Sequence, residues 1–525
     1  MAGNGLDREA WDCLIVGTGV GGATLGYSLA ARGWRVLFVE KGRAGFSRED
    51  TIRGDYPELH GLVDETSAQL LARGGRWTEP ILDGARTFVP LIGSGTGGSS
   101  ALFGMAMERF RPCDFDGSGG DSADEPGDLP PAWPISFGDL APWYGQAERL
   151  YRVRGERDPL LPPIGQALLS APPPSPQNIE LHAHFQARGL HPYRLPLACE
   201  WQPDCRCCQG YLCERNCKND ASRICLEPAM RDHGAHLIEG CEAVRLEADR
   251  KRVTGVVCRY AGAEQVLRAS RVVLAAGALS SPRLLLDSAS ATWPDGLANS
   301  SGLVGRHLMR HLIDLHLVMT RAGIACARKE IGVNDFYANG RQKGGTLQSF
   351  GVLPPPSLLA AAISDDLRQF APWAAPLFRL TSPLVRTGLR RLLERGVLLA
   401  SILEDRPHVD NRVLVDGGRL RIDYRIHAGD KRRLHRFRRQ IRKALSPYRV
   451  VTLAQAGKNA MVAHACGTCR FGTDPALSVL GPDNRAHDLE NLWVVDGSFF
   501  PTSGGTNPAL TIAANALRVA DTMTR

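Results

Sequence analysis

Apolar and polar positions divide the chain before any motif is considered. Cys13-Leu-Ile-Val16 is an unbroken apolar run, the pattern of a strand buried on both faces. It is followed by Gly17-Thr-Gly-Val-Gly-Gly22, a helical stretch from Ala23 to Arg32, Gly33 as a stop, and a second strand from Arg35 to Val39 that ends on Glu40. This order predicts a βαβ unit. Arg252 to Arg259 and Val266 to Ala276 alternate or run apolar like strands, the second closing in Ala275-Ala-Gly-Ala278. The segment 117–175, rich in Gly, Pro, Asp and Ser, predicts an excursion with little regular core. Residues 350–400 mix helical segments with Pro354-Pro-Pro356, and Phe370, Trp373, Phe378, Leu384 and Leu389 stand there among arginines. A lid or substrate-domain helix is favoured for that stretch over a membrane-surface segment. Beyond 430 the pattern runs helix, loop, a strand from Leu492 to Val495 and a final helix from about Pro508. No internal repeat is present.

Composition narrows the class without naming a function. The 525 residues, 43% hydrophobic and 22% charged, are globular in character, enough for about three domains. No apolar run reaches the ~20 residues of a membrane span, and Met1 to Trp11 lacks the pattern of a secretory signal. A cytoplasmic protein is expected. The 63 basic residues are eight lysines and 55 arginines, interspersed with acids. Nucleic acid would call for a clustered basic stripe. The best candidate, Lys431-Arg432-Arg433 to Arg442, reads as a solvated helix face, so no nucleic-acid partner is expected. Fourteen cysteines without a secretory signal suggest thiols or a metal site more than a disulfide framework.

Gly17, Gly19 and Gly22 fill the three positions of the dinucleotide fingerprint. The first permits a tight turn, the second lets backbone approach a pyrophosphate, and the third lets helix pack on strand. The helix start then offers N–H groups and a positive dipole end to that pyrophosphate. Glu40, 18 residues after Gly22, is placed for a ribose diol, and its carboxylate would repel a 2′-phosphate. The unit alone does not separate FAD from NAD.

Further blocks do. Gly93-Ser-Gly-Thr-Gly-Gly-Ser-Ser-Ala-Leu-Phe-Gly104 with Arg111-Pro-Cys-Asp-Phe115 resembles the first signature of the glucose–methanol–choline (GMC) flavoprotein oxidoreductases. Gly277-Ala-Leu-Ser-Ser-Pro-Arg-Leu-Leu285 is similar to the second. His464-Ala-Cys-Gly-Thr468, Val495-Asp-Gly497 and Thr506-Asn-Pro-Ala-Leu-Thr511 resemble the closing segment. The resemblance spans the chain, with 310–400 matched loosely. It implies an α/β fold: a Rossmann-like FAD-binding domain from 10–115, 205–310 and 460–525, and an α+β substrate domain on an antiparallel sheet from 116–204 and 311–459. By the same resemblance, Thr18 to Val20 and Glu40 hold the pyrophosphate and adenosine ribose of FAD. Gly97, Gly98, Ser99, Phe103 and Gly104 line the flavin, and the backbone of Val244 meets the adenine. Ala276 flanks the pyrophosphate, and Asp496 and Gly497 the ribityl chain. Leu102 stands where some members attach FAD through a His, which implies noncovalent FAD. Many members carry Asn where Phe103 stands.

Alcohol oxidation needs a base for the O–H proton and an acceptor for the hydride, which flavin N5 supplies. His464 matches the family's base, and a neutral imidazole suits proton abstraction. Asn507 matches its partner, holding the substrate oxygen. Pro508 fits the first turn of a helix whose N-terminus faces the flavin. The acceptor of the electrons is oxygen or another partner, left open by the sequence. Cys207, Cys208, Cys213 and Cys217 resemble the loop that holds an iron–sulfur cluster in bacterial FAD glucose dehydrogenases, with zinc or plain thiols as alternatives. Cys466 and Cys469 read as small residues near the flavin. His487 reads as surface. Glu404 to Val413, with the His464 block and Arg111 to Phe115, resembles the oxidases of aminoglycoside biosynthesis that act on the 6′-hydroxyl of paromamine. A small-molecule alcohol follows: a sugar, cyclitol or secondary-metabolite alcohol, with Glu404 and Asp405 as candidates to pair with an ammonium. A sterol or long-chain alcohol, or a lyase reaction with non-redox FAD, are the alternatives.

Overall fold

The computed structural model describes residues 11–42, 51–56, 79–84, 86–117, 131–162, 165–203, 205, 207–321, 328–339, 342–351, 355–357, 360, 363–364, 367, 372–393, 396–458 and 462–525. Of the residues singled out above, Met1 to Ala10, Pro354 and Phe370 lie outside the described set.

The predicted βαβ unit forms as β1 (Trp11–Val16), α1 (Val20–Ala30) and β2 (Val36–Glu40). Every residue of β2 and nearly every residue of β1 is buried, because both faces of the sheet are covered. The sheet is five-stranded and parallel, in the order Leu492–Val494, Ala269–Leu274, β1, β2, His236–Glu239. Three stretches of the chain, each almost 200 or more residues from the next, thus share one sheet. Close packing of α1 on it depends on small residues: a Cβ at Gly22 would collide with the carbonyl oxygen of Gly17, and one at Gly26 with the Phe38 ring. The stretch from Val266 to Ala276 divides in two. Ala263–Leu267 closes an antiparallel three-stranded sheet with Glu242–Ala248 and Val253–Tyr260, whereas Ala269–Leu274 crosses into the parallel sheet beside β1.

The second large sheet has six antiparallel strands in the order Arg449–Leu453, Leu312–Met319, Gly396–Leu403, Gly345–Ser349, Ile331–Val333, Tyr193–Arg194. The helix Ala428–Leu445 seals it with Leu434, Phe437 and Ile441, spaced three and four apart on one face. Its basic run is therefore not only a solvated face. Lys431, Arg432, Arg439 and Arg442 are exposed, but Arg438 turns inward to the buried Asp314 at 2.6 Å and Arg433 to Asp430 at 2.8 Å.

The excursion is also more ordered than its composition suggested. Phe137–Leu150 is a helix, started by a capping box between Ser136 and Asp139. Its buried Tyr144 hydroxyl meets Thr511 of the closing helix Ala509–Thr524 at 2.8 Å. Between 350 and 400 the described residues include the helix Ala375–Leu393, with Trp373 before it and Leu384 within it both well exposed. Among the described residues no helix is long and apolar enough to cross a membrane.

Candidate active site

A cavity of about 770 Å³ runs from the turn between β1 and α1 to the six-stranded sheet. At its nucleotide end the walls are mostly backbone. Gly17 has φ +97°, and a Cβ there would stand 2.6 Å from the carbonyl oxygen of Ala275, so neither the conformation nor the space admits a side chain. A Cβ on Gly98 would stand 2.9 Å from the Cα of Gly19, so the two glycine-rich segments close to backbone contact across the cavity. A cradle this narrow fits an extended pyrophosphate. Thr18, Gly19, Val20, Ser99, Phe103, Gly104, Ala276 and Gly497 all line it. Gly22 and Gly97 do not; the first lies on the face of α1 that packs against Ile15 and Ala275, and the second packs toward Ser222.

Glu40 is buried at the same end, with Oε2 accepting from Thr18 N (3.0 Å) and Thr18 Oγ1 (2.7 Å) and Oε1 from Gly42 N (3.1 Å). Burial raises its pKa and these hydrogen bonds oppose the rise. Val244 lies where the register of its hairpin shifts, between Ala243 and Arg245, so the ladder with Val253–Tyr260 skips it beside the cavity. Asp496 is fully engaged by the protein: one carboxylate oxygen accepts from Gly277 N (2.9 Å) and the Ser281 hydroxyl, the other from Ser498 N (2.9 Å) and the Ser498 hydroxyl. It ties the 277–281 stretch to the 496–498 turn more than it presents a charge.

At the far end the walls are side chains. His464 sits there with φ +61°, a left-handed conformation that costs a non-glycine residue energy and is typical of functional positions. Its Nδ1 is 2.9 Å from Nδ1 of His311, whose Nε2 lies 2.8 Å from the carbonyl oxygen of Gly504. A carbonyl only accepts, so His311 carries its proton on Nε2 and its Nδ1 is a lone pair. His464 must then donate from Nδ1, which leaves Nε2 unprotonated on a ring that lines the cavity. Burial lowers the His311 pKa to about 4. It lowers that of His464 well below the usual value too, helped by His311 and by the nearby ammonium of Lys329. Asn507 accepts on Oδ1 from Gln348 Nε2 at 2.8 Å, so its amide N–H groups remain to donate. Asn507 and Pro508 line the cavity where the closing helix begins.

Sequence reasoning missed His311, Gln348 and Lys329. His311 stands in Met-Arg-His-Leu, Gln348 inside a buried strand and Lys329 just before another; none carries a motif that marks it.

Several expectations are corrected or refined. Glu404 and Asp405 do not reach the cavity: Glu404 lies 3.6 Å from Lys343 and 3.5 Å from Arg433, and Asp405 accepts from Tyr424 Oη (2.8 Å) and Arg310 N (3.0 Å). Cys466 and Cys469 are buried and neither lines the cavity, but Cys466 stands just behind its wall, 3.7 Å from where a Cβ on Gly497 would sit. The four loop cysteines do not gather around one point. Cys207, at φ +50°, turns to Cys205, which also meets Cys217 and stands 3.7 Å from Cys199, while the adjacent Cys208 faces Cys213. Neighbouring residues on this bend face apart, and among the described residues no cluster of His, Cys, Asp and Glu is placed to hold a metal ion. His487 is half-buried rather than surface, its Nε2 2.9 Å from Ser478 Oγ.

Comparison with known proteins accounts for this arrangement. Family models described as GMC oxidoreductase match residues 167–313 and 407–516. Paromamine 6′-oxidase of Streptomyces fradiae is 31% identical over 98% of this chain and 91% of its own length. The 6′′′-hydroxyparomomycin C oxidase of Streptomyces lividus is 32% identical over the same shares, 98% and 91%. The 2-methyl-1,2-propanediol dehydrogenase of Mycolicibacterium austroafricanum is 26% identical, covering 98% and 95%. The crystal structure of pyridoxine 4-oxidase from Mesorbium loti superposes with a TM-score of 0.64 at 20% identity, covering 98% of this chain and 99% of that one. With the parallel and antiparallel sheets of that fold, its backbone cradle and its full-length relatives, this chain belongs to the GMC family and is an FAD-dependent alcohol oxidoreductase.

Proposed function

We propose that the alcohol is oxidised through His464 and Asn507: His464 Nε2 takes the hydroxyl proton while the Asn507 amide N–H holds the hydroxyl oxygen. The observation that carries this is the 2.9 Å contact between the Nδ1 atoms of His311 and His464. It fixes the tautomer, so the lone pair on the cavity side is the one the reaction needs. A hydroxyl between the two groups donates to one and accepts from the other, which orients its C–H bond. After proton transfer, the imidazolium of His464 still donates to His311, and neutral His311 offers it a lone pair. FAD, when bound, supplies the hydride acceptor. Thr18 to Val20, Glu40, Gly98, Ser99, Phe103, Gly104, the backbone of Val244, Ala276, Asp496 and Gly497 would hold it, with no covalent link because Leu102 offers no nucleophile. The N-terminus of Ala509–Thr524 adds a positive dipole end at Asn507 and Pro508.

The two aminoglycoside-oxidising relatives favour a sugar, cyclitol or other secondary-metabolite alcohol as substrate, with oxygen or another acceptor removing the electrons. Thirteen described cysteines stand as thiols, which suits a reducing, cytoplasmic setting. The test is anaerobic bleaching of the flavin band across an alcohol panel. The native enzyme bleaches with its substrate, and His464→Ala slows bleaching by roughly 10²- to 10⁴-fold. Turnover without bleaching, or bleaching at the native rate in the variant, sinks this reading.

A further inference from the structure

We propose that Lys329 selects the substrate: the alcohol this enzyme oxidises carries a carboxylate, which Lys329 binds. The inference rests on the reading that the alcohol reacts at His464 and Asn507, and it names the class of alcohol.

Lys329 stands just before the strand Ile331–Val333, is 4% exposed, and lines the reacting end of the cavity. Among the described residues its ammonium has neither a hydrogen-bond nor an ion-pair partner. A buried charge without a partner is costly, and proteins keep one where a ligand completes it. Its place is fixed by Gly104: a Cβ there would stand 2.7 Å from Lys329 Nζ and would collide with Gln209 Oε1. The ammonium and the Gln209 amide oxygen therefore flank one spot on the cavity wall. Gln209 Oε1 is itself buried and has no partner. The charge is close enough to His464 to act on its imidazole. Burial lowers the Lys329 pKa to about 8, with Glu108 and Cys207 opposing, so the group is largely protonated near neutral pH.

Glu108, whose charge acts on Lys329, does not line the cavity and accepts from Tyr193, Asn334 and Thr506. The cavity acids Glu40, Glu242, Glu264 and Asp287 belong to the nucleotide end, and Asp496 spends both oxygens on Gly277, Ser281 and Ser498. Glu404 and Asp405 are consumed by internal partners. The apolar residues Ile313, Leu315, Phe350 and Ile402 line the same cavity. The Lys329 ammonium matches a single carboxylate by charge and by hydrogen bonding, whereas Gln209 Oε1 can only accept and so does not bind the carboxylate itself. A polyammonium aminoglycoside would bring like charge against Lys329, so this chain departs in substrate class from the relatives that oxidise one.

The test uses the FAD-loaded full chain and three inert probes of one shape: benzoate, benzamide and benzylamine, each titrated against the flavin absorbance. Benzoate is expected to bind, benzamide at least 10-fold more weakly, and benzylamine least of all. Lys329→Met should weaken benzoate by roughly 10- to 100-fold, and Lys329→Arg by only a few-fold. If Lys329→Met fails to hold FAD, the order of the probes on the native enzyme and the Arg variant carry the test. Benzylamine binding as tightly as benzoate, no benzoate binding, or an unchanged benzoate affinity in Lys329→Met each overturn the proposal. So does an effect of Lys329→Met confined to the flavin's reduction potential, which would assign the charge to the cofactor. The two readings fail separately: His464→Ala should still bind benzoate while losing alcohol-driven bleaching, and an alcohol panel that never bleaches the flavin would sink the oxidation and leave the anion site standing.

Discussion

At the nucleotide end of the cavity the ligand meets backbone; at the reacting end it meets side chains drawn from separate stretches of chain. The first end is compact in sequence, with Gly17 to Gly22 and Gly93 to Gly104 doing most of the shaping. The second needs Gln209, His311, Lys329, Gln348, His464 and Asn507, which span almost 300 residues. A backbone cradle tolerates little, because any added Cβ collides with fixed atoms. A side-chain chamber tolerates exchange, because its walls are replaceable one by one. The cradle is therefore suited to one cofactor, and the chamber to a change of substrate within a family.

The contrast is broken most severely at Gly17. Replacing it with Ala puts a Cβ against the carbonyl of Ala275 and forces a positive φ on a β-carbon residue. The backbone conformation alone costs about 1–3 kcal/mol, and the clash adds to it. A lower thermal midpoint and a reduced FAD-to-protein ratio are expected; a variant that purifies fully flavinated with an unchanged midpoint would show that the turn is not a rigid cradle.

A smaller and purely chemical effect is expected at His311. His311→Phe removes the acceptor for His464 Nδ1, leaving the tautomer unfixed and the imidazolium unsupported. Loss of a hydrogen bond to a charged group predicts a flavin-reduction rate lower by about 10- to 100-fold, with FAD content and substrate affinity little changed. A drop in FAD content equal to the drop in rate would mean that His311 is structural only.

The smallest effect separates the two ends by pH. Only the neutral form of His464 is a base, and burial, His311 and Lys329 all hold its pKa below the ordinary value. The flavin-reduction rate should stay level as pH falls from 7.5 through 6.5 and decline only at lower pH. Lys329→Met removes a repulsive charge, so the acid limb should move upward. A native limb at or above 6.5 contradicts the assigned environment.

Legibility followed the same division. The β1–α1–β2 unit was readable because its apolar runs, glycines and Glu40 act over neighbouring residues. The strand at Leu492 and the helix after Pro508 were readable for the same reason. Asp496 was marked by its motif, but its role was not: only the fold shows its carboxylate spent on Gly277, Ser281 and Ser498. Glu404 and Asp405 misled because an acidic pair in sequence says nothing about which way it faces. The cysteine loop misled because spacing cannot say that Cys207 and Cys208 turn apart.

By itself, then, the sequence determined the cofactor class, the βαβ cradle and the candidate base, since each depends on contacts within a few residues or on motifs of fixed spacing. Tertiary structure decided which nitrogen of His464 is left without a proton, which amide orients Asn507, and that an unpartnered ammonium stands in the chamber. Those facts arise where distant strands are brought side by side in the two sheets, and a hydrogen bond or a buried charge exists only once that has happened.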